Sequence, residues 1–307
     1  MYLKVKEYVF APALSHGDLP NPYSEDSFLI SDNLIAVVDG IRGLTQRRIL
    51  KTKTTDTEWF VDTVIKGLRQ VTNKRDVDKS RDYDDPKKIL KTAIDYVIAR
   101  FKEEGILYSD IKKHELPTAS LMMVMKLLRV KETNRFLFSH MAGGAVMWHT
   151  KEDGFSMSLS GEDLSNFDVE VEMLIRTLLM QGKSGDEIKE AVINMAKASR
   201  HIRNQDDTYC MLDMSYSSFK HKGFRTYEKL LNPGDKVLLA SSGFLRYVNI
   251  FKKTTYEDMF YKSFTGSLRG IVEAIREQEK WDMSCQMYQR TRKSDDICAV
   301  TIEVKDN

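Results

Sequence analysis

The chain has 307 residues, 42% of them hydrophobic and 30% charged, a composition that excludes disordered and fibrous classes and supports a sizeable core. Its 47 basic and 45 acidic side chains leave a formal charge of +2, which removes the electrostatic case for a dedicated nucleic-acid or membrane-surface binder. The basic clusters Arg47, Arg48, Lys51, Lys53 and Arg290, Arg292, Lys293 read as solvated faces. Three cysteines cannot all pair, show no metal-type spacing and suit a reducing compartment. No apolar run approaches the roughly 18 residues a bilayer span requires, and Met1 to Lys6 alternates polar and apolar instead of forming a signal-peptide core. A cytoplasmic protein is expected.

In chain order, Tyr2 to Phe10 alternates as a strand, and a loop containing Pro12, Gly17, Pro20 and Pro22 follows. Asp26–Ile30 and Leu34–Asp39 read as a hairpin around Ser31-Asp32-Asn33, with Leu34 to Val38 apolar on both faces and therefore buried between layers. Trp59, Phe60, Val64 and Leu68 mark a helix that Thr55 or Asp56 is placed to cap. Residues 72–86 read as a charged surface loop, and Ile89 to Phe101 as a second helix ended by Gly105. Ala119–Leu127, Arg135–Met141, Ala145–His149 and Phe155–Leu159 fit strands in consecutive antiparallel pairing. Helical patterns at Val171–Met180 and Ile188–Ala198 come next, then strands at Tyr209–Asp213, Lys236–Ser241 and Ile297–Val304, with a helix through Leu268, Ile271 and Ile275 before the last. Runs of strands interrupted by helix pairs, with no linker and no dinucleotide-binding glycine motif, favour a single α+β domain over residues 1–307.

Acidic residues fall at the ends of these strands. Glu25-Asp26 opens one, Asp39-Gly40 closes the next, and Asp295-Asp296 precedes the last. Each pair alone reads as turn chemistry. Three pairs converging at one sheet rim would repel one another unless a cation neutralised them, and an oxygen-only cluster suits Mg²⁺ or Mn²⁺ rather than zinc.

In order along the chain, Glu25-Asp26-Ser27-Phe28-Leu29-Ile30, Ala36-Val37-Val38-Asp39-Gly40 with Gly43, Pro117-Thr118-Ala119-Ser120-Leu121, Ala142-Gly143-Gly144, Pro233 to Phe244 and Lys293 to Val300 resemble the motifs of type 2C metal-dependent protein phosphatases. Asp56 to Val61 and Glu115 to Thr118 look closest to a divergent bacterial branch. The resemblance covers about residues 20–304. It implies an α-β-β-α sandwich, in which two antiparallel sheets are flanked by helix pairs. It also implies two Mg²⁺ or Mn²⁺ ions whose bridging water attacks phosphoserine or phosphothreonine.

Carried over by position, Asp39 would bridge both ions and Gly40 would offer its carbonyl. Glu25 would act on one ion through water, Asp26 would orient waters, and Asp295 would bind the other ion. Ser242 stands where the family has a metal-ligand Asp, so one ion instead of two is a further possibility. Gly144 replaces another family Asp, Ile41 a common histidine, and Asn21 a phosphate-binding arginine. Arg42 is the candidate to hold phosphate instead, with a solvated side chain as the plainer reading. Asp296, Asp206 or Asp207 are alternative ligands.

The function this implies is metal-dependent phosphomonoester hydrolysis on a phosphorylated protein, without nucleic-acid or membrane partners. The alternative is a pseudophosphatase that binds phosphoproteins or regulates, because Ser242 replaces the Asp. A phosphatase acting on a small phosphorylated metabolite is a third reading.

Overall fold

A computed structural model describes the chain except for residues 15–22, 45–47, 51–54, 78–83, 108, 110, 129–133, 160, 161, 289, 291 and 307. Among the described residues, two five-stranded sheets form, with every pairing antiparallel. One orders β2 (Asp26–Ile30), β3 (Leu34–Ile41), β4 (Thr118–Lys126), β5 (Arg135–His140) and β8 (Arg225–Leu230). The other orders β1 (Tyr2–Ala11), β10 (Ile297–Lys305), β9 (Lys236–Ala240), β6 (Ala145–Thr150) and β7 (Gly154–Leu159).

The two-residue side-chain period of a strand sorts the apolar residues into layers. In β3, Leu34, Ala36 and Val38 join α1 (Asp56–Val77) and α2 (Pro86–Glu103) in one core. Ile35 and Val37 face the other way and pack between the sheets with Met122, Val124, Phe138, Trp148, Leu239 and Val300. In β9 and β10, Leu238, Ala240, Ile297 and Ala299 turn outward against α6 (Ser242–Asn249), α7 (Tyr256–Thr265) and α8 (Leu268–Trp281). The result is an α+β sandwich of helices, sheet, sheet and helices. The pair α3 (Glu162–Met180) and α4 (Gly185–Ile202) stands apart, and of its described side chains only Val171 and Arg200 are buried. No helix among the described residues is long and apolar enough to cross a membrane.

Four sequence readings need correction. Residues 72–77 are helical, because Val71 and Thr72 extend the buried stripe of α1 while Asn73 and Lys74 face solvent. A charged face does not end a helix; only 84 and 85 of the expected loop precede α2, whose N-cap Asp85 Oδ1 accepts from Lys87 N at 2.9 Å, and 78–83 lie outside the described residues. Strands β5 and β6 do not pair, since the turn at Met141–Gly144 carries the chain from one sheet to the other. Residues 209–213 make a single bridge, Leu212 to Ala119, instead of a strand. Their backbone is satisfied piecemeal: Met211 N donates to Asn204 Oδ1 at 2.8 Å and Cys210 O accepts from Ala142 N at 3.1 Å.

The fourth correction concerns Arg290 and Arg292, which are held in ion pairs, while Lys293 beside them is exposed. Arg290 is 2% exposed and pairs with Asp282 at 2.6 Å, and Arg292 reaches Asp295 at 3.1 Å. Of the other cluster, Arg47, Lys51 and Lys53 lie outside the described residues. The sequence reading also passed over β8, an edge strand whose charges mask its alternation.

Candidate metal centre at the sheet rims

The site starts from the β2–β3 turn. Ser31 Oγ donates to Leu34 O at 2.8 Å and accepts from Leu34 N at 3.1 Å, which fixes a register that sets Asp26 directly opposite Asp39. Opposite residues in an antiparallel pair have Cβ atoms about 5 Å apart, so like charges there destabilise each other. Both side chains are buried, at 3% and 4% exposure.

Burial pushes the Asp26 carboxyl well above the usual carboxylate range, and the charges of Asp39, Asp296 and Asp295 push it further. Burial and Asp295 raise Asp39 to about 6, against hydrogen bonds from Ser242 and Asp26. One of those bonds is precise in origin: Ser242 N, in the first turn of α6, donates to Asp39 Oδ2 at 2.7 Å. A helix N-terminus carries unpaired N–H groups and partial positive charge, so it suits a carboxylate.

Close backbone approach holds the rest. A Cβ on Gly40 would lie 2.2 Å from Glu25 O, and one on Gly243 1.8 Å from Asp296 O. Glycine at these two positions lets β3 meet the entry of β2 and lets α6 meet the entry of β10. Asp296 spends both oxygens on backbone, accepting from Ala13 N at 2.7 Å and Glu25 N at 3.0 Å. Glu25, 3% exposed, accepts from Arg42 Nε at 3.3 Å through Oε2, and burial raises its carboxyl despite Arg42. Arg42 itself is 46% exposed.

Asp295 differs from its neighbours. Its Oδ1 accepts from Arg292 Nη1 at 3.1 Å, and its Oδ2 lies 3.9 Å from Arg246 Nε. Burial raises its carboxyl, yet Arg292 and Arg246 outweigh burial and leave it below the ordinary value.

Compared by sequence, the chain matches no protein-family model and no curated protein. Compared by structure, it resembles the serine/threonine phosphatase PstP/Ppp of Mycobacterium tuberculosis over 100% of both chains, with TM-score 0.55 and 13% identity. It also resembles PppA, a key regulatory component of T6SS in Pseudomonas aeruginosa, with TM-score 0.52 and 12% identity over 99% and 98% of the two chains. A third likeness is to the catalytic domain of PstP in complex with 2 manganese ions, with TM-score 0.51 and 13% identity over 99% of each chain. The chain has the fold of the serine/threonine phosphatases of this class.

Within that fold, the residues at the rim suit a divalent cation. Two oxygens call for one: Glu25 Oε1 and Asp26 Oδ2 are buried without a hydrogen-bond partner. The donors are all oxygen, and burial, with neighbouring carboxylates, raises Glu25, Asp26 and Asp39, so their ionised forms lack compensation from the protein. The chemistry fits. The cage is open, however, for among the described residues no group of three His, Cys, Asp or Glu side chains stands ready to enclose an ion.

The structure therefore gathers Glu25, Asp26, Asp39, Gly40, Ser242 and Asp295, with Arg42 at the edge. Asp207 is elsewhere in role, an exposed side chain paired with Lys222, and Asn21 lies outside the described residues. Asp56 accepts from Ile49 N at 2.9 Å and Leu50 N at 2.8 Å, leaving the cap of α1 to Thr55, whose Oγ1 accepts from Glu58 N at 3.0 Å.

Sequence reasoning missed the arginines that enter the centre. Arg246 sits four residues after Ser242 on α6, one turn along, a spacing that a helical reading of 242–249 would have exposed. Arg200, 8% exposed at the end of α4, donates to Arg42 O and lies near enough to Glu25 to sense its charge; nothing in its sequence context signals this.

Proposed function

We propose that residues 1–307 form one phosphatase-like domain that hydrolyses phosphomonoesters with the aid of Mn²⁺ or Mg²⁺, acting on phosphoserine or phosphothreonine in a protein. The observation that carries this reading is the pair of unpartnered oxygens on Glu25 and Asp26, beside an opposed Asp26–Asp39 pair, at the rims of a phosphatase fold. The manganese ions of the PstP catalytic domain support the choice of metal. Three unpaired cysteines are in keeping with a cytoplasmic setting.

Asp39, Glu25 and the Gly40 carbonyl would hold the ion, and Asp295 and Ser242 are the further candidate ligands. When bound, the ion supplies a nucleophilic water at neutral pH and offsets phosphate charge. Asp26, buried and short of a partner at Oδ2, would orient that water. The α6 N-terminus, through Ser242 N–H, fixes the Asp39 carboxylate in one rotamer. Arg42, at 46% exposure, is free enough in its outer guanidinium nitrogens to hold substrate phosphate while Nε stays on Glu25.

The test is Mn²⁺-dependent hydrolysis of p-nitrophenyl phosphate and of a phosphothreonine peptide by wild type and Asp39→Asn. Activity abolished by Asp39→Asn is the expected result; activity that survives it refutes the site.

A second reading, a pseudophosphatase that binds or regulates phosphoproteins, is favoured by the state of Asp295. Its oxygens face arginines, and Ser242 offers only a neutral hydroxyl in place of a carboxylate. An inactive wild type that gains activity as Ser242→Asp would support it.

A further inference from the structure

The demand for positive charge at the rim is lopsided. Toward β2, Glu25 Oε1 and Asp26 Oδ2 are unpartnered, on side chains only 3% exposed. Toward β10, the Asp295 carboxylate faces guanidinium on both sides, with Arg292 at 3.1 Å and Arg246 at 3.9 Å.

We propose that Arg292 takes the place of a second divalent ion beside Asp295, so that the centre holds a single ion, on the side of Asp39 away from Asp295. The inference rests on the metal-dependent reading above and settles how many ions it involves.

Three features support it. First, a guanidinium stays charged at any pH the protein meets and makes charge-assisted bonds to carboxylate, so its compensation of Asp295 is permanent. Second, Arg292 is held where it is. Its carbonyl accepts from Arg246 Nη2 at 2.8 Å, and Arg246 is itself fixed by Glu279, 1% exposed, which also accepts from Asp295 N at 3.3 Å. Moving Arg292 aside for an ion would break these contacts to Arg246 and α8.

Third, the charges balance. Relative to a site with a carboxylate at 242 and no arginine at 292, Ser242 removes one negative charge and Arg292 adds one positive. Together they amount to the charge of one divalent ion. Nor does Ser242 leave Asp39 wanting, because its backbone N–H donates to Asp39 Oδ2 at 2.7 Å. A second cation arriving at Asp295 would have to displace Arg292, face Arg246 and accept a neutral ligand.

Calorimetric titration of Mn²⁺ into the metal-free protein, paired with Mn²⁺ electron paramagnetic resonance, tests this. Wild type and Arg292→Lys should each bind one ion and give the spectrum of an isolated Mn²⁺. Arg292→Gln should bind two and give the exchange-coupled spectrum of an ion pair. Asp39→Asn should bind none. Because Arg292 is 31% exposed, the Gln variant is expected to fold, and the Lys variant keeps the charge as a control. Two ions in wild type, or one ion in both wild type and Arg292→Gln, would overturn the inference and leave metal binding standing. No Mn²⁺ uptake by wild type or by Arg292→Gln would instead overturn the metal-dependent reading itself.

Discussion

Asp39→Asn removes one of two carboxylates that the β2–β3 register forces together, and it keeps an oxygen to accept from Ser242 N–H. Its amide is neutral at every pH, so the cost of burying an ionised Asp39 beside Asp295 disappears. The magnitude follows from the Asp39 carboxyl, raised from an ordinary 3.8 to about 6 by burial and by Asp295. At about 1.4 kcal/mol per pH unit, ionised Asp39 costs the metal-free fold about 3 kcal/mol near pH 7.5.

The sign is that of a raised carboxyl. Its stabilising protonation is complete below 3.8 and is lost as pH rises through about 6. In excess chelator, wild type should therefore lose stability relative to Asp39→Asn between pH 5 and pH 7.5. At pH 7.5 the variant should melt higher, by on the order of 5 °C or more for a chain of this size. Adding Mn²⁺ should reverse the order, since only wild type gains from binding. Thermal unfolding followed by circular dichroism, with chelator and then with Mn²⁺, measures all of this. The reasoning fails if the variant melts below wild type at pH 7.5 in chelator, or if the gap does not widen with pH.

Other positions give independent checks. Gly40→Ala puts a methyl 2.2 Å from Glu25 O and 2.7 Å from Thr57 Cγ2, so the backbone must move; urea unfolding should show a loss of at least about 2 kcal/mol. Asp213→Ala strips the Nε partner from Arg203, which is fully buried with Nη1 and Nη2 already unpartnered. That leaves a buried charge uncompensated and should cost about 3–5 kcal/mol in the same assay. Ser242→Asp adds a carboxylate beside Asp39, at a helix N-terminus that only partly offsets it. Its metal-free melting temperature should drop and its Mn²⁺-induced rise should exceed that of wild type; a smaller rise would place the ion away from Asp39.

What the sequence determined by itself was local. The alternation from Leu34 to Val38 set which residues face each layer, and Ser31-Asp32-Asn33 marked the turn that brings Asp26 against Asp39. Asp39-Gly40 and Asp295-Asp296 were visible as acidic strand ends because strand ends are written in neighbouring residues. Contacts across the sandwich were not. That Asp295 lies near Asp39, that Asp296 instead clamps Ala13 and Glu25, and that Ser242 serves Asp39 through its backbone depend on how β3, β10 and α6 pack.

The same limit hid the separation of β5 from β6, since two adjacent strands read alike whether they pair or part. It also turned Arg290 and Arg292 into an apparent solvated patch, because a run of charge shows nothing of the carboxylates folded against it. Side-chain periodicity follows from the covalent chain, so it can be read one residue at a time. Charge compensation is a property of groups brought together from distant positions, and only the packed sandwich decides which carboxylate oxygens are left without a partner.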